Sequence, residues 1–117
     1  MNFRYLKPFV PSGADFDKAL QFFEELGFRT EWQVPGMAGL EREGCAFILQ
    51  HFDRKEFAEN FMLSVGISDA RAWYEELKGK DLTTRYGARV APPRQQPYGL
   101  EVNVIDPAGV CWHFVEG

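Results

Sequence analysis

The sequence predicts an α+β fold in which two βαβββ modules form a curled mixed sheet with a concave groove. The first observation is an internal repeat: the pattern of alanine, an aromatic pair and GluGluLeu at 19–26 returns at 70–77, an offset close to half of the 117-residue chain. Both copies have the period of an amphipathic helix, and each follows one strand-like run and precedes several more. The chain is therefore expected to be a single domain, 1–117, whose repeats cover about 1–55 and 56–117.

The two predicted helices begin at short polar side chains and end near glycines. Asp15 or Asp17 can accept hydrogen bonds from the free amides at the start of the first helix, and Ser68 can do the same for the second. Gly27 and Gly79 then end them. The apolar stripes that should face the core are Phe16, Ala19, Leu20, Phe23 and Leu26 in the first helix and Ala70, Trp73, Tyr74 and Leu77 in the second.

The strands are predicted from apolar runs that lie between turn-forming residues. A charged connecting loop is expected at about 53–60, inside the one domain. The strands are expected at 4–10, 28–34, 39–42 and 45–52 in the first repeat and at 61–67, 82–86, 99–105 and 110–115 in the second.

Alternation along the strands predicts which side chains lie on the open face of the sheet, opposite the helices. In 61–67 the larger apolar residues alternate with Met62, Ser64 and Gly66, which should therefore face away from the helix. Both faces of 45–52 are apolar, and its odd-numbered residues, including His51, are assigned to the open face. The expected groove lining, a mostly apolar surface of the kind that binds small molecules, is Phe47, Leu49, Met62, Glu101, Asn103 and His113.

Charge and composition exclude several classes of partner. Thirteen Lys and Arg against 17 Asp and Glu give a net charge of −4, the wrong sign for binding a nucleic-acid backbone. There is no apolar run of membrane-spanning length and no apolar leader, so no membrane partner and a cytoplasmic location are expected. Cys45 and Cys111 stand apart without a CxxC or a Cys/His cluster, and they are expected to be reduced rather than bridged.

Four segments carry a resemblance to a known family. They are DFDKALQFFEELGF (15–28), MLSV (62–65), PYG (97–99) followed by Glu101, and VIDPAG (104–109). Together with the repeat, this ordered set resembles the vicinal oxygen chelate superfamily, which includes glyoxalase I, extradiol dioxygenases, fosfomycin-resistance transferases and bleomycin resistance proteins. In length and pattern the chain is most similar to the bleomycin resistance proteins.

The resemblance also implies where a catalytic metal would be held. Metal-dependent members take His, Glu or Gln ligands from the first strand, from the strand that ends each half and from the first strand of the second half. Only His113 among the matching residues can ligate, and one imidazole cannot hold a catalytic divalent ion. A shifted register could bring His51 near His113, in an atypical set. We therefore predict no metal and no cofactor. The matching residues are Lys7 or Pro8, Leu49, Met62 and His113.

Bleomycin resistance proteins sequester cationic aromatic drugs in grooves at a dimer interface, between aromatic and acidic side chains. By resemblance, the matching aromatic positions here include Trp32, Met37 and Tyr98, although Met37 stands where the family has an aromatic residue and Tyr98 where it commonly has Trp. Trp32 could equally fill the dimer contact. The full set of predicted ligand-binding residues is Trp32, Met37, Phe47, Leu49, Met62, Tyr98, Glu101, Asn103 and His113.

The sequence thus predicts a non-catalytic protein that sequesters a small aromatic cation of the bleomycin type and confers antibiotic resistance. A homodimer is expected, because Pro8 and Pro11 remove amide donors from the N-terminal strand and favour its exchange with a partner subunit. Two alternatives stay open: an enzyme of the same superfamily, metal-dependent or metal-free, and a dimeric regulatory module that binds no small molecule.

Overall fold

The computed structural model describes residues 1–117 and forms two sheets, one from each half of the chain. The first half contains β1 (Phe9–Pro11), α1 (Phe16–Glu25), β2 (Arg29–Val34), β3 (Met37–Arg42) and β4 (Cys45–Gln50). A short helix, α2 (Lys55–Glu59), connects the halves. The second half contains β5 (Met62–Ile67), α3 (Ala70–Lys78), α4 (Leu82–Tyr86), β6 (Arg89–Val90), β7 (Arg94–Gln96), β8 (Gly99–Ile105) and β9 (Cys111–Glu116).

The two sheets repeat the same topology, as the internal repeat predicts. The strand order is β1-β4-β3-β2 in the first sheet and β5-β9-β8-β6 in the second, where β7 also pairs with β8. In each sheet the first strand of the half pairs in parallel with the last, and the remaining pairs are antiparallel. The first strand of each half is therefore an edge strand. None of the helices is long and apolar enough to cross a membrane.

Short carboxylates begin the two long helices. Asp15 accepts a hydrogen bond from the amide of Lys18 at 3.0 Å, which caps α1 as predicted. Asp69, rather than the predicted Ser68, caps α3 by accepting from the amide of Ala72 at 3.0 Å. The sequence offers two adjacent capping residues there, and the helix begins one residue later than expected.

One aromatic core joins the helix-bearing faces of the two sheets. The ring centroid of Phe23, on α1, lies 4.9 Å from that of Phe47 on β4 and 5.3 Å from that of Trp112 on β9. On the same face of β9, the ring of Phe114 lies 5.4 Å from Trp73 of α3. Because both sheets turn their helix-bearing faces toward this core, their open faces turn away from it.

Residues 82–86, predicted as a strand, form the helix α4. Leu82 and Tyr86 are both buried, at 2% and 6% exposed, and a helical turn brings two residues four apart onto one face. Gly87 ends the helix in the left-handed conformation, with a φ of 73°. The prediction was wrong because alternation over five residues does not distinguish a strand from a single helical turn that buries both ends.

Three further boundaries differ from the sequence-based expectation. The connecting segment at 53–60 is a loop only in part, since it contains α2. The short edge strands β6 and β7 flank two prolines and were not predicted. The first strand, expected at 4–10, is reduced to β1, and the residues before it are largely exposed: 92% for Phe3, 75% for Tyr5 and 91% for Leu6.

Candidate functional site

The open face of the second sheet carries a connected chain of four side chains. Tyr98, just before β8, donates its hydroxyl hydrogen to Oε2 of Glu101 at 2.8 Å. Nδ1 of His113 lies 3.2 Å from the same oxygen. Nε2 of His113 lies 3.3 Å from Sδ of Met62. The structure therefore brings together four of the residues that the sequence places in the groove.

Strand register explains this arrangement. The antiparallel pairing of β8 with β9 places Asn103 opposite His113. The parallel pairing of β5 with β9 places Ser64 beside His113 and Met62 beside Cys111. Because paired residues have their side chains on the same face, a polar row of Ser64, His113 and Asn103 crosses three strands. Cys111 and Met62 form the neighbouring row.

Glu101 is a buried carboxylate, only 2% exposed, and it accepts from both Tyr98 and His113. Its hydrogen bond and its charge raise the pKa of the Tyr98 hydroxyl. The Tyr98 side chain is anchored at its hydroxyl while the residue remains 61% exposed. Glu101 was expected to be an exposed charge in the groove; instead, it orients its neighbours.

Two other groups on this face have unusual environments: one is a buried oxygen without a hydrogen-bond partner, and the other is a thiol with a raised pKa. Oδ1 of Asn103 is buried without a hydrogen-bond partner, which is uncommon for a buried polar atom. Burial raises the pKa of the Cys111 thiol, and the charges of Glu101 and Asp106 raise it further. Both cysteines are free, as predicted.

Trp32 lies on the open face of the first sheet, with its indole against the backbone of β3. A Cβ atom at Gly39 would overlap the indole Nε1, so a side chain there would displace the ring. A register shift between Thr30 and Trp32 allows Thr30 to face α1 while Trp32 faces the open side. Met37 is on the same open face, because its neighbour in β3, Ala38, is fully buried in the core.

The predicted open-face position of Phe47 and Leu49 is wrong. They are 2% and 0% exposed and lie on the helix-bearing face. Phe47 contacts Phe23 of α1, whereas Ala46, with the alternate parity, is on the open face. Alternation could not decide this case because both faces of β4 are apolar. The packing of Phe47 on the aromatic residues of α1 and β9 determines which face of β4 is buried.

The remaining predicted site residues fall on two separate surfaces. Trp32 and Met37 are on the open face of the first sheet, whereas Tyr98 and the residues linked to it are on that of the second. Since both open faces turn away from the shared core, one chain alone does not enclose a groove between them. The residues predicted to line one concave surface therefore lie on the open faces of two sheets.

The positions to which the resemblance assigns a metal do not come together as a divalent site. Leu49 has no donor atom and is buried in the core. His51 lies beyond β4, where its ring centroid is 6.4 Å from that of Phe16. No group of three or more His, Cys, Asp or Glu side chains is placed to hold a metal ion. The donor set present does not fit a hard divalent ion.

Three residues of the second open face were left out of the predicted site. Ser64 and Cys111 follow from the same alternation that gives Met62 and His113, so the sequence contained the signal for them. Arg94 lies opposite Glu101 in the antiparallel register of β7 and β8, so its side chain is on the same face. No sequence signal marks Arg94, because a three-residue strand between prolines and a turn is hard to distinguish from a loop.

No protein-family model and no curated protein matches this sequence significantly. Solved structures match over the full length. The bleomycin-binding protein of the bleomycin-producing Streptomyces verticillus, complexed with copper(II)-bleomycin, is 25% identical, with a TM-score of 0.81 over 100% of this chain and 98% of that chain. The chain has the fold of the vicinal oxygen chelate superfamily.

Other structures of this fold support the same assignment. The bleomycin resistance determinant encoded on the transposon Tn5 is 22% identical, with a TM-score of 0.81 over 98% of each chain. The fosfomycin resistance protein FosX of Listeria monocytogenes, complexed with Mn(II) and sulfate, is 12% identical, with a TM-score of 0.77 over 100% of this chain and 92% of that chain. The predicted resemblance and fold class are confirmed, and solved proteins of this fold include both a bleomycin-binding protein and a glyoxalase-related enzyme.

Proposed function

We propose that this chain binds and sequesters a flat, cationic aromatic molecule of the bleomycin type without transforming it. The observation that carries the proposal is that each open face presents one anchored aromatic side chain. Trp32 rests on the backbone at Gly39, and Tyr98 is held by Glu101. Rings that are fixed before binding lose little conformational entropy when a flat ligand stacks on them. The net charge of −4 favours a cationic ligand over an anionic one.

The groove is completed by a second copy of the chain. Trp32 and Tyr98 lie on faces that turn away from one core, so the two rings of a single chain cannot stack on opposite sides of one ligand. In a two-fold symmetric dimer, the first sheet of each subunit can face the second sheet of the other, which creates two identical grooves. The whole-length match to bleomycin-binding proteins supports the class of ligand.

The strand predicted to be exchanged, at 8–11, pairs instead with β4 of the same chain. The segment proposed to cross to the partner subunit is therefore the arm before it, residues 1–7. Its apolar side chains Phe3, Tyr5 and Leu6 are each at least 75% exposed. Three large apolar side chains exposed within four residues favour an interface at this segment. β5 is an edge strand with one free side, and an extended segment can add to such an edge through main-chain hydrogen bonds.

The proposed function is tested by titrating metal-free bleomycin into the protein while following tryptophan fluorescence, and by recovering the drug for mass analysis. We expect saturable binding and an unchanged drug mass. The absence of binding at millimolar drug would refute sequestration of this class of ligand. A product of altered mass would instead support an enzyme.

A metal-dependent enzyme is the second candidate, because the fold is shared with a protein complexed with Mn(II). The buried Leu49 and the thioether of Met62 stand against it, since neither supplies an oxygen or nitrogen ligand. Elemental analysis of untagged protein should find no stoichiometric zinc, nickel, iron or manganese. About one tightly held ion of these per chain would favour the enzyme.

A further inference from the structure

The imidazole of His113 donates one of its two hydrogens to a weak acceptor. A hydrogen on Nδ1 accounts for the 3.2 Å contact with the carboxylate of Glu101, and a hydrogen on Nε2 accounts for the 3.3 Å contact with Sδ of Met62. Only the charged ring, which carries both hydrogens, satisfies the two contacts at once. Because a thioether accepts hydrogen bonds weakly, an oxygen acceptor would bind the Nε2 hydrogen more strongly.

The thioether of Met62 can give way to such an acceptor. Met62 is 62% exposed, and its unbranched side chain has three rotatable bonds, so it can move aside at small cost. The side chain of His113 keeps 24% of its surface exposed. Its ring is held from the other side by Glu101, which is buried. The Nε2 hydrogen is therefore oriented before a ligand arrives, and it becomes accessible when the thioether moves.

The same carboxylate oxygen connects this donor to the aromatic platform of Tyr98. Oε2 of Glu101 accepts a hydrogen bond from the Tyr98 hydroxyl at 2.8 Å in addition to the one from His113. The two bonds bring the hydroxyl-bearing edge of the phenol ring beside the imidazole. A flat ligand that stacks on Tyr98 therefore has the substituents of its own edge close to Nε2 of His113.

The charges around the donor indicate which kind of acceptor it takes. The charges of His113 and Glu101 compensate each other, and Arg94 lies opposite Glu101 in the strand register, so this face has no excess of negative charge. A carbonyl oxygen is an acceptor that a cationic ligand can carry without losing its net charge. We propose that His113 determines specificity by selecting, among flat aromatic cations, those with a carbonyl group at the edge of the ring.

In the complex, the carbonyl oxygen replaces Met62 as the acceptor of the Nε2 hydrogen. This inference rests on the proposed function, and it names the chemical group that one side of the groove recognises. A hydrogen bond from a charged donor typically changes an affinity by about ten- to a hundredfold. Since the thioether bond is given up in exchange, we expect the lower end of that range.

The test compares two permanent flat cations, 3-carbamoyl-1-methylquinolinium and 1,3-dimethylquinolinium, of which only the first carries a carbonyl group. Calorimetric titration of the wild type is done at about pH 6, below the ordinary histidine pKa of about 6.5. The carbamoyl compound should bind about tenfold more tightly. His113→Leu should bind both compounds alike. Met62→Leu should retain the preference, whatever its effect on the affinity for both compounds, because the sulfur is not the acceptor in the complex.

His51→Leu is the matched control, since His51 is the other histidine and lies beside Phe16, away from this face. It should retain the preference, and circular dichroism verifies the fold of every variant. Equal affinities of the wild type for the two compounds would overturn the inference and leave sequestration standing. A preference that survives in His113→Leu, or that disappears in Met62→Leu, would also overturn it. So would a wild type that binds neither compound at millimolar concentration, and the bleomycin titration then shows whether the proposed function fails as well.

Discussion

The rings of Phe47 and Trp112, one from each sheet, lie with their centroids 5.2 Å apart in the middle of the molecule. This contact shows that the helix-bearing faces of both sheets share one core. The open faces, which carry Trp32 and Tyr98, therefore turn outward. A ligand that stacks on both rings needs two chains, and several expectations depend on this geometry.

Removing the Tyr98 ring should weaken drug binding without unfolding the protein. Tyr98→Ala is expected to reduce bleomycin affinity by about 1–3 kcal/mol, the usual contribution of an aromatic stacking platform. Tyr98→Phe keeps the ring but loses the hydrogen bond to Glu101, so its loss should be smaller. Fluorescence titration measures both variants. If Tyr98→Ala binds like the wild type, the ligand does not contact this ring.

Gly39→Ala should displace the Trp32 indole, because a Cβ there overlaps the ring nitrogen. We expect a shifted tryptophan emission and weaker drug binding. Gly66→Ala is the matched control, since it is also a glycine within a strand but has no atom within 4 Å of the added Cβ. Equal effects of the two substitutions on emission and affinity would contradict the proposed role of the Trp32 platform.

The structure also shows where sequence reasoning succeeds and where it cannot. The helix α1 and the strand β8 follow from strong periodicity and clear ends. The open-face position of Met62 and His113 follows from alternation with polar neighbours. Phe47 was predicted on the wrong face because both faces of its strand are apolar, so alternation does not distinguish them. Its side chain packs against Trp112, which lies 65 positions away in the chain and cannot be located from the local sequence.

Burial likewise changes the expectation for Glu101. The sequence predicts an exposed charge in the groove, whose removal would matter mainly at low salt because exposed charges are screened. The observed side chain is 2% exposed and bonded to Tyr98 and His113. Nothing in the local sequence shows that these two partners converge on one carboxylate oxygen.

Deleting residues 2–7 should convert the proposed dimer to a monomer that remains folded. The apolar side chains of this arm are exposed in the single chain, so their loss removes little from its core. Sedimentation at tens of micromolar should show a dimer for the full chain and a monomer for the deletion variant. A full-length chain that sediments as a monomer would contradict the exchanged-arm proposal.

Asp106 should give the stability a distinctive pH dependence. Burial raises the pKa of this carboxyl to about 6, even though it accepts hydrogen bonds from the Val110 amide and the Trp112 indole. The unfolded carboxyl has a pKa of about 3.9. The folded state therefore holds the proton more tightly, and this group lowers the free energy of unfolding as the pH rises from about 4 to about 6.

The comparison that isolates this effect is with Asp106→Asn, which cannot titrate. Between pH 4 and 6, the free energy of unfolding of the wild type minus that of the variant should fall by about 2 kcal/mol, given a carboxyl pKa of about 6 in the folded state and about 3.9 in the unfolded state. Denaturant unfolding at several pH values measures the difference. Parallel profiles for the two proteins would show that the carboxyl has the same pKa in both states.

The most direct test of the shared groove mixes two defective chains. Trp32→Ala and Tyr98→Ala each disable every groove of their own homodimers. When the two variants are dissociated together and reassembled in equal amounts, random pairing should give one intact groove in each mixed dimer, or about one quarter of all grooves. We expect wild-type bleomycin affinity to return at about that fraction of sites. If binding does not return although mixed dimers form, the two rings do not act across the subunit interface.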